Sequence, residues 1–278
     1  MPRWHRCLRR PATHHRPDGS RRTSRMDRAE QVAIVTGASR GIGAAIVEEL
    51  AERGATVIAS AHAADPPGAL VDRLGARELR VHARIADVTD PEQVQDLADS
   101  TCREFGRIDV LVNNAGVGAV APSDTLSLER WSRVLAVNLT GPLLCSQAVG
   151  RHMLKAGRGV IINIGSIFGE TGMPMRAAYA ASKHGLVGLT RVLAIEWASR
   201  GVRVVTVEPA YVATGLDDQD QRDGGYSPDD IARRTPLGRY AEPREIATTV
   251  AFLASDEASF ITGTSIAVDG GWLAHGGW

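Results

Sequence analysis

From Gln31 onward the chain alternates short apolar, largely β-branched runs with longer stretches of helical periodicity. The runs are Val32–Val35, Thr56–Ala59, Leu79–His82, Ile108–Val112, Gly159–Ile164, Val202–Val207 and Ser265–Val268. Helical patterns at Ile42–Arg53, Pro91–Phe105, Ser127–Lys155 and Arg176–Ser199 separate most of them. Runs this apolar suit strands buried on both faces, and strand–helix alternation produces crossovers around a parallel sheet. The pattern predicts an α/β fold: a single doubly wound domain whose seven-stranded, mostly parallel sheet carries helices on both faces. No repeat or low-complexity tract interrupts it. Asp217–Gly225 is polar, and Ser227–Tyr240 reads as irregular and proline-bearing. Together they suggest a mobile lid rather than a core element.

Charge divides the chain differently from hydropathy. The 32 basic and 32 acidic side chains cancel, which argues against a dedicated nucleic-acid binder. Residues 1–25, however, hold eight arginines against the single acid Asp18, leaving 24 of the 32 basic and 31 of the 32 acidic side chains to residues 26–278. Residues 1–28 have almost nothing to bury and are expected to form a disordered basic N-terminal extension, with the folded domain at 29–278. The extension reads best as an upstream segment before a natural start at Met26. A targeting peptide without an apolar face and a functional basic arm are the alternatives.

Cys7, Cys102 and Cys145 are odd in number and widely spaced, giving neither a disulfide framework nor a metal knuckle. Free thiols in a reducing cytoplasm are expected. The histidines, including the adjacent His14 and His15, suggest no metal site, and no apolar run reaches the ~18 residues that span a bilayer.

The first strand runs into Thr36-Gly37-Ala38-Ser39-Arg40-Gly41-Ile42-Gly43 and then a helix. A glycine turn there lets the backbone approach a pyrophosphate, and the helix N-terminus offers unpaired N–H groups and a partial positive charge. Ile42 is expected to plug into the core between the glycines. After the third strand, Asp87-Val88 suits an adenine edge, although Asp87 could equally cap the helix opening near Pro91. Asn113-Asn114-Ala115-Gly116 ends the fourth strand. It reads either as a strand end pressed against a cofactor or as a polar turn.

Tyr179 and Lys183 are spaced i, i+4, which places phenol and ammonium on one helical face. A free tyrosine ionises near pH ~10, and a fixed cation favours its phenolate. The pair can then donate a proton to a carbonyl or accept one from an alcohol. Viewed alone, a core tyrosine beside a snorkelling lysine explains the same spacing. Ser166 follows the fifth strand at the carboxyl edge of the sheet, where a hydroxyl could hydrogen-bond a reacting oxygen. Asn138 is a poor residue for a helix interior. It suits a site if its amide holds a water or distorts the helix, and otherwise reads as a partly exposed helical asparagine.

Taken in order, Thr36–Gly43, Asn113–Gly116, Asn138, Ser166, Tyr179-x-x-x-Lys183 and the ending Gly263…Val268-Asp269-Gly270-Gly271 resemble the short-chain dehydrogenase/reductase family. The resemblance covers residues 30–273, and within it 3-oxoacyl-carrier-protein reductase-like members are the nearest in appearance. It implies a Rossmann-type, NAD(P)-dependent oxidoreductase that interconverts a ketone and a secondary alcohol by hydride transfer. By this analogy Tyr179 is the general acid/base, Lys183 lowers its pKa and holds the nicotinamide ribose, and Ser166 orients the substrate oxygen. Asn138 would support a water-based proton relay through Lys183. Cofactor contacts would come from Gly37, Ser39, Arg40, Gly41, Ile42, Gly43, His62, Asp87, Val88, Asn114, Ala115 and Gly116, with Tyr179, Lys183, Pro209, Val212 and Thr214 at the nicotinamide end. Members are commonly tetramers, so a homotetramer is expected, with a homodimer as the alternative. The Tyr179 helix, the Asn138 helix and the last strand would form its interfaces.

Three departures from the family stand out: Ala210 in place of the usual glycine after Pro209, the unusual Glu208 before it, and Gly165 where many relatives carry a second serine. An added methyl at 210 is tolerable where the backbone does not need positive φ. At the end of the second strand, Ala61 and His62 supply no acid for a ribose diol. Arg40 could pair with a 2′-phosphate instead, so NADP(H) is favoured over NAD(H). The alternatives to a general carbonyl reductase are a 3-oxoacyl-carrier-protein reductase and a polyol or sugar dehydrogenase. Arg233, Arg234 and Arg239 are candidates for carrier-protein docking, though a solvated loop explains them more simply. Retention of Tyr179, Lys183, Ser166 and Asn138 counts against a non-catalytic cofactor-binding scaffold. Val117–Pro122, Ile167–Met175 and Tyr211–Tyr240 should wall the substrate pocket, with Phe168, Met173 and Met175 as apolar lining for a small molecule.

Overall fold

Successive side chains of the first strand, β1 (Val32–Thr36), meet two different cores. Ala33 and Val35 pack with Ile46, Leu50, Leu74 and Val250, whereas Val32 and Ile34 pack with Val94, Leu97, Val149 and Leu193. Burial on both faces is why the strand reads as an unbroken apolar run. Each fully buried valine, leucine or isoleucine contributes roughly 1.5–3 kcal/mol relative to exposure.

The computed structural model describes residues 31–214 and 227–275; the expected disordered segment 1–28 and the polar stretch Asp217–Gly225 lie outside the described residues. Six strands follow β1: β2 (Thr56–Ala61), β3 (Val81–Ile85), β4 (Val110–Asn113), β5 (Gly159–Ile164), β6 (Val202–Pro209) and β7 (Ser265–Val268). They form one sheet in the order β3-β2-β1-β4-β5-β6-β7, and all six pairings are parallel. The expected doubly wound fold is therefore present, with a sheet more uniform than the mostly parallel one anticipated. The helices are α1 (Gly41–Glu52), α2 (Gly68–Gly75), α3 (Pro91–Phe105), α4 (Leu128–Leu135), α5 (Gly141–Ala156), α6 (Ala177–Trp197), α7 (Pro228–Arg234) and α8 (Pro243–Leu253). One face of the sheet is covered by α1, α2 and α8, and the other by α3, α5 and α6. Strand order reverses between β1 and β4, which opens a crevice at the carboxyl edge of the sheet.

Four local expectations are corrected. The helical pattern Ser127–Lys155 is broken: a π turn at Ala136–Thr140 separates α4 from α5. Continuous apolar spacing hides such a turn, because only one extra residue enters the hydrogen-bond ladder. β3 starts two residues after Leu79, since Glu78 adopts φ 61 and the Leu79 amide turns back to Leu74 O at 3.2 Å. As an edge strand it tolerates the partly exposed His82 and Arg84. Ser227–Tyr240 is not irregular throughout, for α7 opens with a reciprocal Ser227–Asp230 capping box, and Ile231 and Thr235 are buried. Finally, α2 and α8 lie where the alternation predicted no helix. α8 carries its own signals, with Pro243 in the first turn and a Glu242–Glu245 capping box.

Candidate active site

The glycine turn is held by side chains from its neighbours. Thr36 Oγ1 accepts the amides of Asn114 and Ala115, both at 3.1 Å, and Asn114 Nδ2 donates to Thr36 O at 3.0 Å and Gly37 O at 2.9 Å. Gly37 adopts φ +62, and a Cβ there would stand 2.7 Å from Ala115 Cα. A Cβ on Gly43 would stand 2.2 Å from Gly37 O, so this turn is closed to any side chain at 43. Gly41 also has positive φ, at 56, and Ile42 packs against the core as expected, though it is only partly buried. The first turn of α1 holds no acid, and Arg40 at its N-cap makes no side-chain capping bond. Asp90 and Ser127, by contrast, cap α3 and α4. The uncapped N–H groups of α1 and the tight glycine cradle fit a bound pyrophosphate.

At the end of β2, the imidazole Nδ1 of His62 accepts the Ala64 amide at 3.0 Å and its Nε2 faces Asp87 Oδ2 at 3.5 Å. Asp87 does not cap α3, which is the work of Asp90. Its Oδ1 accepts the amide and hydroxyl of Thr89, at 2.9 and 2.7 Å. Burial raises the Asp87 pKa, but those bonds, with His62 and Arg133 nearby, hold it below the usual carboxylate range. Asn113 points the other way, into a buried chain that runs through Asn163 at 2.8 Å to Thr190 and Thr206. The polar-turn reading of Asn113 is therefore replaced by a buried network that ties β4, β5, α6 and β6 together.

The catalytic candidates converge from β5 and α6. Ser166 follows β5 and caps a short 3₁₀ turn, its Oγ accepting the Phe168 amide at 3.2 Å. Tyr179 and Lys183 lie on α6, with Lys183 Nζ 5.4 Å from the Tyr179 ring centroid and donating to Ile164 O at 2.8 Å. Burial pushes the Lys183 pKa down from 10.5 to about 8. Phe168 meets the Tyr179 ring edge-on at 6.2 Å. Thr214 lies past the bridge between Val212 and Ala241, its amide on Val212 O at 2.8 Å.

Asn138 is 1% exposed and sits in the π turn, so the partly exposed helical reading fails. Its Oδ1 accepts Val117 N at 2.9 Å, while Nδ2 donates to Val117 O at 2.9 Å and to Ser182 Oγ at 3.2 Å. The amide is thus spent on backbone and Ser182. The helix distortion expected of a site asparagine is present.

A cavity of about 550 Å³ is lined by every residue predicted for cofactor or catalysis except Gly41 and Asn138. Of the expected substrate walls, Val117, Gly118, Ile167, Phe168, Tyr211, Val212 and Thr214 reach it. Met175 does not; it is only partly buried and adopts φ 64. Met173 sits one layer back, its sulfur taking the Tyr211 hydroxyl at 3.4 Å. Three charged lining residues had not been anticipated: Asp65, Arg133 and Arg176. Arg176 is buried and three residues before Tyr179, a helical spacing that could have revealed it. Asp65 lies in the loop after β2, where no periodicity points to the cavity.

Among the described residues, Ala210 has no positive φ, so its methyl is accommodated without backbone strain. The other two departures belong together. A Cβ on Gly165 would meet Thr206 Cγ2 at 2.6 Å and Glu208 Cγ at 3.2 Å, leaving no room for a second serine. Glu208 is 1% exposed. Burial pushes its carboxyl up to about 6, with Ser265 opposing, Glu170 adding, and Arg191 and His184 opposing. The docking arginines are engaged within the chain. Arg233 pairs with Asp230, Arg239 pairs with Glu245 at 2.7 Å, and Arg234 lies 4.9 Å over the Trp272 ring. Among the described residues no helix is long and apolar enough to cross a membrane, and no group of side chains could hold a metal ion.

A family model described as enoyl-(acyl carrier protein) reductase matches residues 37–273. D-threitol dehydrogenase of Mycolicibacterium smegmatis is 45% identical over 87% of this chain and 92% of its own length. The 3-oxoacyl-acyl-carrier-protein reductase of Vibrio cholerae is 43% identical over 87% of this chain and 96% of its own. A solved structure of a putative NAD(P)-dependent gluconate 5-dehydrogenase from Beutenbergia cavernae, 42% identical, superposes with a TM-score of 0.82 over 88% of this chain and 97% of that one. With a family model over most of the chain, relatives above 40% identity and a shared fold, the chain belongs to the short-chain dehydrogenase/reductase family, as an oxidoreductase of alcohol and ketone groups that uses a nicotinamide dinucleotide.

Proposed function

We propose that Ser166, Tyr179 and Lys183 interconvert a ketone and a secondary alcohol on a small free substrate of polyol or hydroxy-acid size. The observation that carries this reading is that all three line the same cavity as the glycine turn. When bound, the dinucleotide supplies or takes up the hydride. In the reducing direction the Tyr179 phenol gives its proton to the substrate oxygen, and in the oxidising direction its phenolate removes the hydroxyl proton. The Ser166 hydroxyl hydrogen-bonds that oxygen and steadies the charge that develops on it. The Lys183 ammonium, close beside the ring, favours the phenolate electrostatically. Asn138 holds the π turn against α6 through Ser182 and so fixes where Tyr179 stands.

A small substrate is preferred to an acyl chain on a carrier protein on the similarity to D-threitol dehydrogenase, 45% identical against 43% for the Vibrio cholerae 3-oxoacyl-acyl-carrier-protein reductase; the exposed Arg233–Asp230 and Arg239–Glu245 pairs do not decide between them. Relatives named for D-threitol and for gluconate agree with that size. NADP(H) is preferred to NAD(H): Arg40 stands in the glycine turn, the end of β2 holds no acid, and NADP is bound in the Beutenbergia cavernae structure, at low occupancy, and in that of a 34% identical gluconate 5-dehydrogenase from Burkholderia cenocepacia. The test is dinucleotide-linked turnover of D-threitol, gluconate, cis-4-hydroxycyclohexanecarboxylate and a 3-oxoacyl carrier protein by wild type and Tyr179→Phe. Turnover of a free hydroxy compound that falls about 10³-fold in the variant is expected for loss of the general acid/base. Equal rates in both proteins overturn the mechanism, and turnover of the carrier-protein substrate alone overturns the substrate assignment.

A further inference from the structure

Asp65 comes from the loop after β2, three residues beyond the position where an acid would meet a dinucleotide's ribose. Its carboxylate nevertheless reaches the cavity. Oδ2 accepts the Ser39 hydroxyl at 2.7 Å and stands 3.1 Å from Arg40 Nε. Both partners belong to the glycine turn. They are also the hydroxyl and the cation best placed to hold an anion at the end of β2, where a dinucleotide's 2′ position lies. His62, on the other side, offers its Nδ1 lone pair to the Ala64 amide and faces Asp87.

We propose that Asp65 sets the choice between NADP(H) and NAD(H) by acting as a built-in competitor for the 2′-phosphate. The carboxylate occupies the donors that the phosphate needs. A 2′-phosphate carries about −1.5 to −2 charge at neutral pH, so it must displace Asp65 from Ser39 and Arg40 and then sit beside it. A ribose hydroxyl faces no such contest. The Arg40 and Asp65 side chains are 65% and 53% exposed. An ion pair that open to solvent is weak and can be displaced, so the competition weakens the preference for NADP(H) without abolishing NADP(H) binding. This inference rests on the assignment of the cavity to the dinucleotide.

The experiment is calorimetric titration of 2′,5′-ADP and of 5′-ADP into wild type, Asp65→Asn, Asp65→Ser, Arg40→Gln and the Asp65→Asn/Arg40→Gln pair. Thermal melts of each variant establish that it is folded. Removing the carboxylate is expected to tighten 2′,5′-ADP roughly tenfold, the weight of one charge–charge contact near the surface. The affinity for 5′-ADP is expected to stay within about twofold, since it lacks the group in contest. Arg40→Gln should weaken 2′,5′-ADP more in the Asp65→Asn background than in wild type. A ratio of the two affinities that is unchanged in both Asp65 variants overturns the proposal. Failure of wild type to bind either nucleotide overturns instead the assignment of the cavity on which it rests.

Discussion

Glu208 closes over Gly169: its Oε1 stands 3.0 Å from the point where a Cβ on residue 169 would begin. Gly169 ends the 3₁₀ turn that Ser166 caps, so the carboxyl at the end of β6 shapes the backbone directly behind the serine. Val187 Cγ2 and Lys183 O, at 3.3 and 3.4 Å, wall the other sides. Gly169→Ala is expected to destabilise by about 1–3 kcal/mol, the cost of overpacking a closed site. Glu208→Ala should recover part of that loss when the two are combined. Chemical denaturation of the two single variants and the double variant measures the coupling, and strictly additive effects would show that the contact has no energetic weight.

The same carboxyl gives stability a pH dependence. Its ordinary value is 4.5 and burial raises it to about 6 in the fold. Between those values the folded chain binds the proton and the unfolded chain releases it. The stabilising contribution is therefore fully present below about pH 4.5 and is lost as pH rises through about 6. Glu208→Gln removes the titration while keeping size. It is expected to be more stable than wild type by about 1–2 kcal/mol near pH 8, with the gap closing toward pH 4.5. Thermal melts across that range decide it, and a gap of constant size would rule out the carboxyl as its source.

Lys183 runs with the opposite sign. Burial lowers its pKa from 10.5 to about 8, so the unfolded chain binds the proton more tightly between those values. Stability rises with pH across that window, and below about pH 8 the fold carries a buried cation at a cost. Lys183→Met is expected to cut turnover at least about 10²-fold through loss of support for the Tyr179 proton transfer. Below about pH 8 it should also be no less stable than wild type, because the desolvation relieved offsets the lost bond to Ile164 O. Melting curves and steady-state rates on the same preparations test both halves. A variant several degrees less stable at neutral pH would mean that the ammonium is more favourably held than its burial implies.

How much of this was readable in advance follows from the range of each interaction. Tyr179 and Lys183, or Gly37 and Gly43, are separated by a few residues, and their spacing translates directly into a shared face or a closed turn. The doubly wound sheet was readable for a similar reason, since burial on both sides leaves each central strand apolar throughout. Asp65 was not readable in this way, and Glu208 and Asn138 were marked only as residues out of place, without their partners. Asp65 reaches Ser39 across 26 residues of sequence and Asn138 reaches Ser182 across 44. Nothing local marks either contact. Glu208 was visible only as a misfit, and its meaning depends on Gly165 and Gly169, which the fold brings beside it. α8 is a different case, for its capping box and proline were local signals that periodicity alone passed over.

Asn138 separates support from chemistry. Its side chain satisfies both backbone groups of Val117 and the Ser182 hydroxyl, and that hydroxyl in turn donates to Tyr179 O at 2.7 Å. Asn138→Ala orphans these buried groups and is expected to cost about 1–3 kcal/mol of stability. As a positioning residue it should lower kcat with little change in the affinity for 5′-ADP, since it does not line the cavity. Asn138→Asp keeps the acceptor for Val117 N but loses both donated bonds, so it should not restore turnover. Full activity in Asn138→Ala with an intact melting temperature would remove the asparagine from any part in the site.

The glycine turn gives the sharpest contrast between two chemically identical substitutions. On Gly43 a methyl would begin 2.2 Å from Gly37 O and 2.5 Å from Asn114 Nδ2, atoms that are themselves fixed by the Thr36–Asn114 bonds. The turn can admit it only by opening, which breaks the brace and moves the α1 N-terminus away from the place where a pyrophosphate would rest. Gly43→Ala is expected to weaken binding of 5′-ADP by at least about 10²-fold, the loss of several backbone contacts at about 1 kcal/mol each. On Gly68, in the first turn of α2, a methyl meets nothing within 4 Å. Gly68→Ala is therefore expected to raise stability by a few tenths to about 1 kcal/mol through helix propensity alone, with nucleotide affinity unchanged. Titration calorimetry and thermal melts on both variants read the two effects separately. If Gly43→Ala bound the nucleotide as wild type does, the phosphate could not lie against this turn.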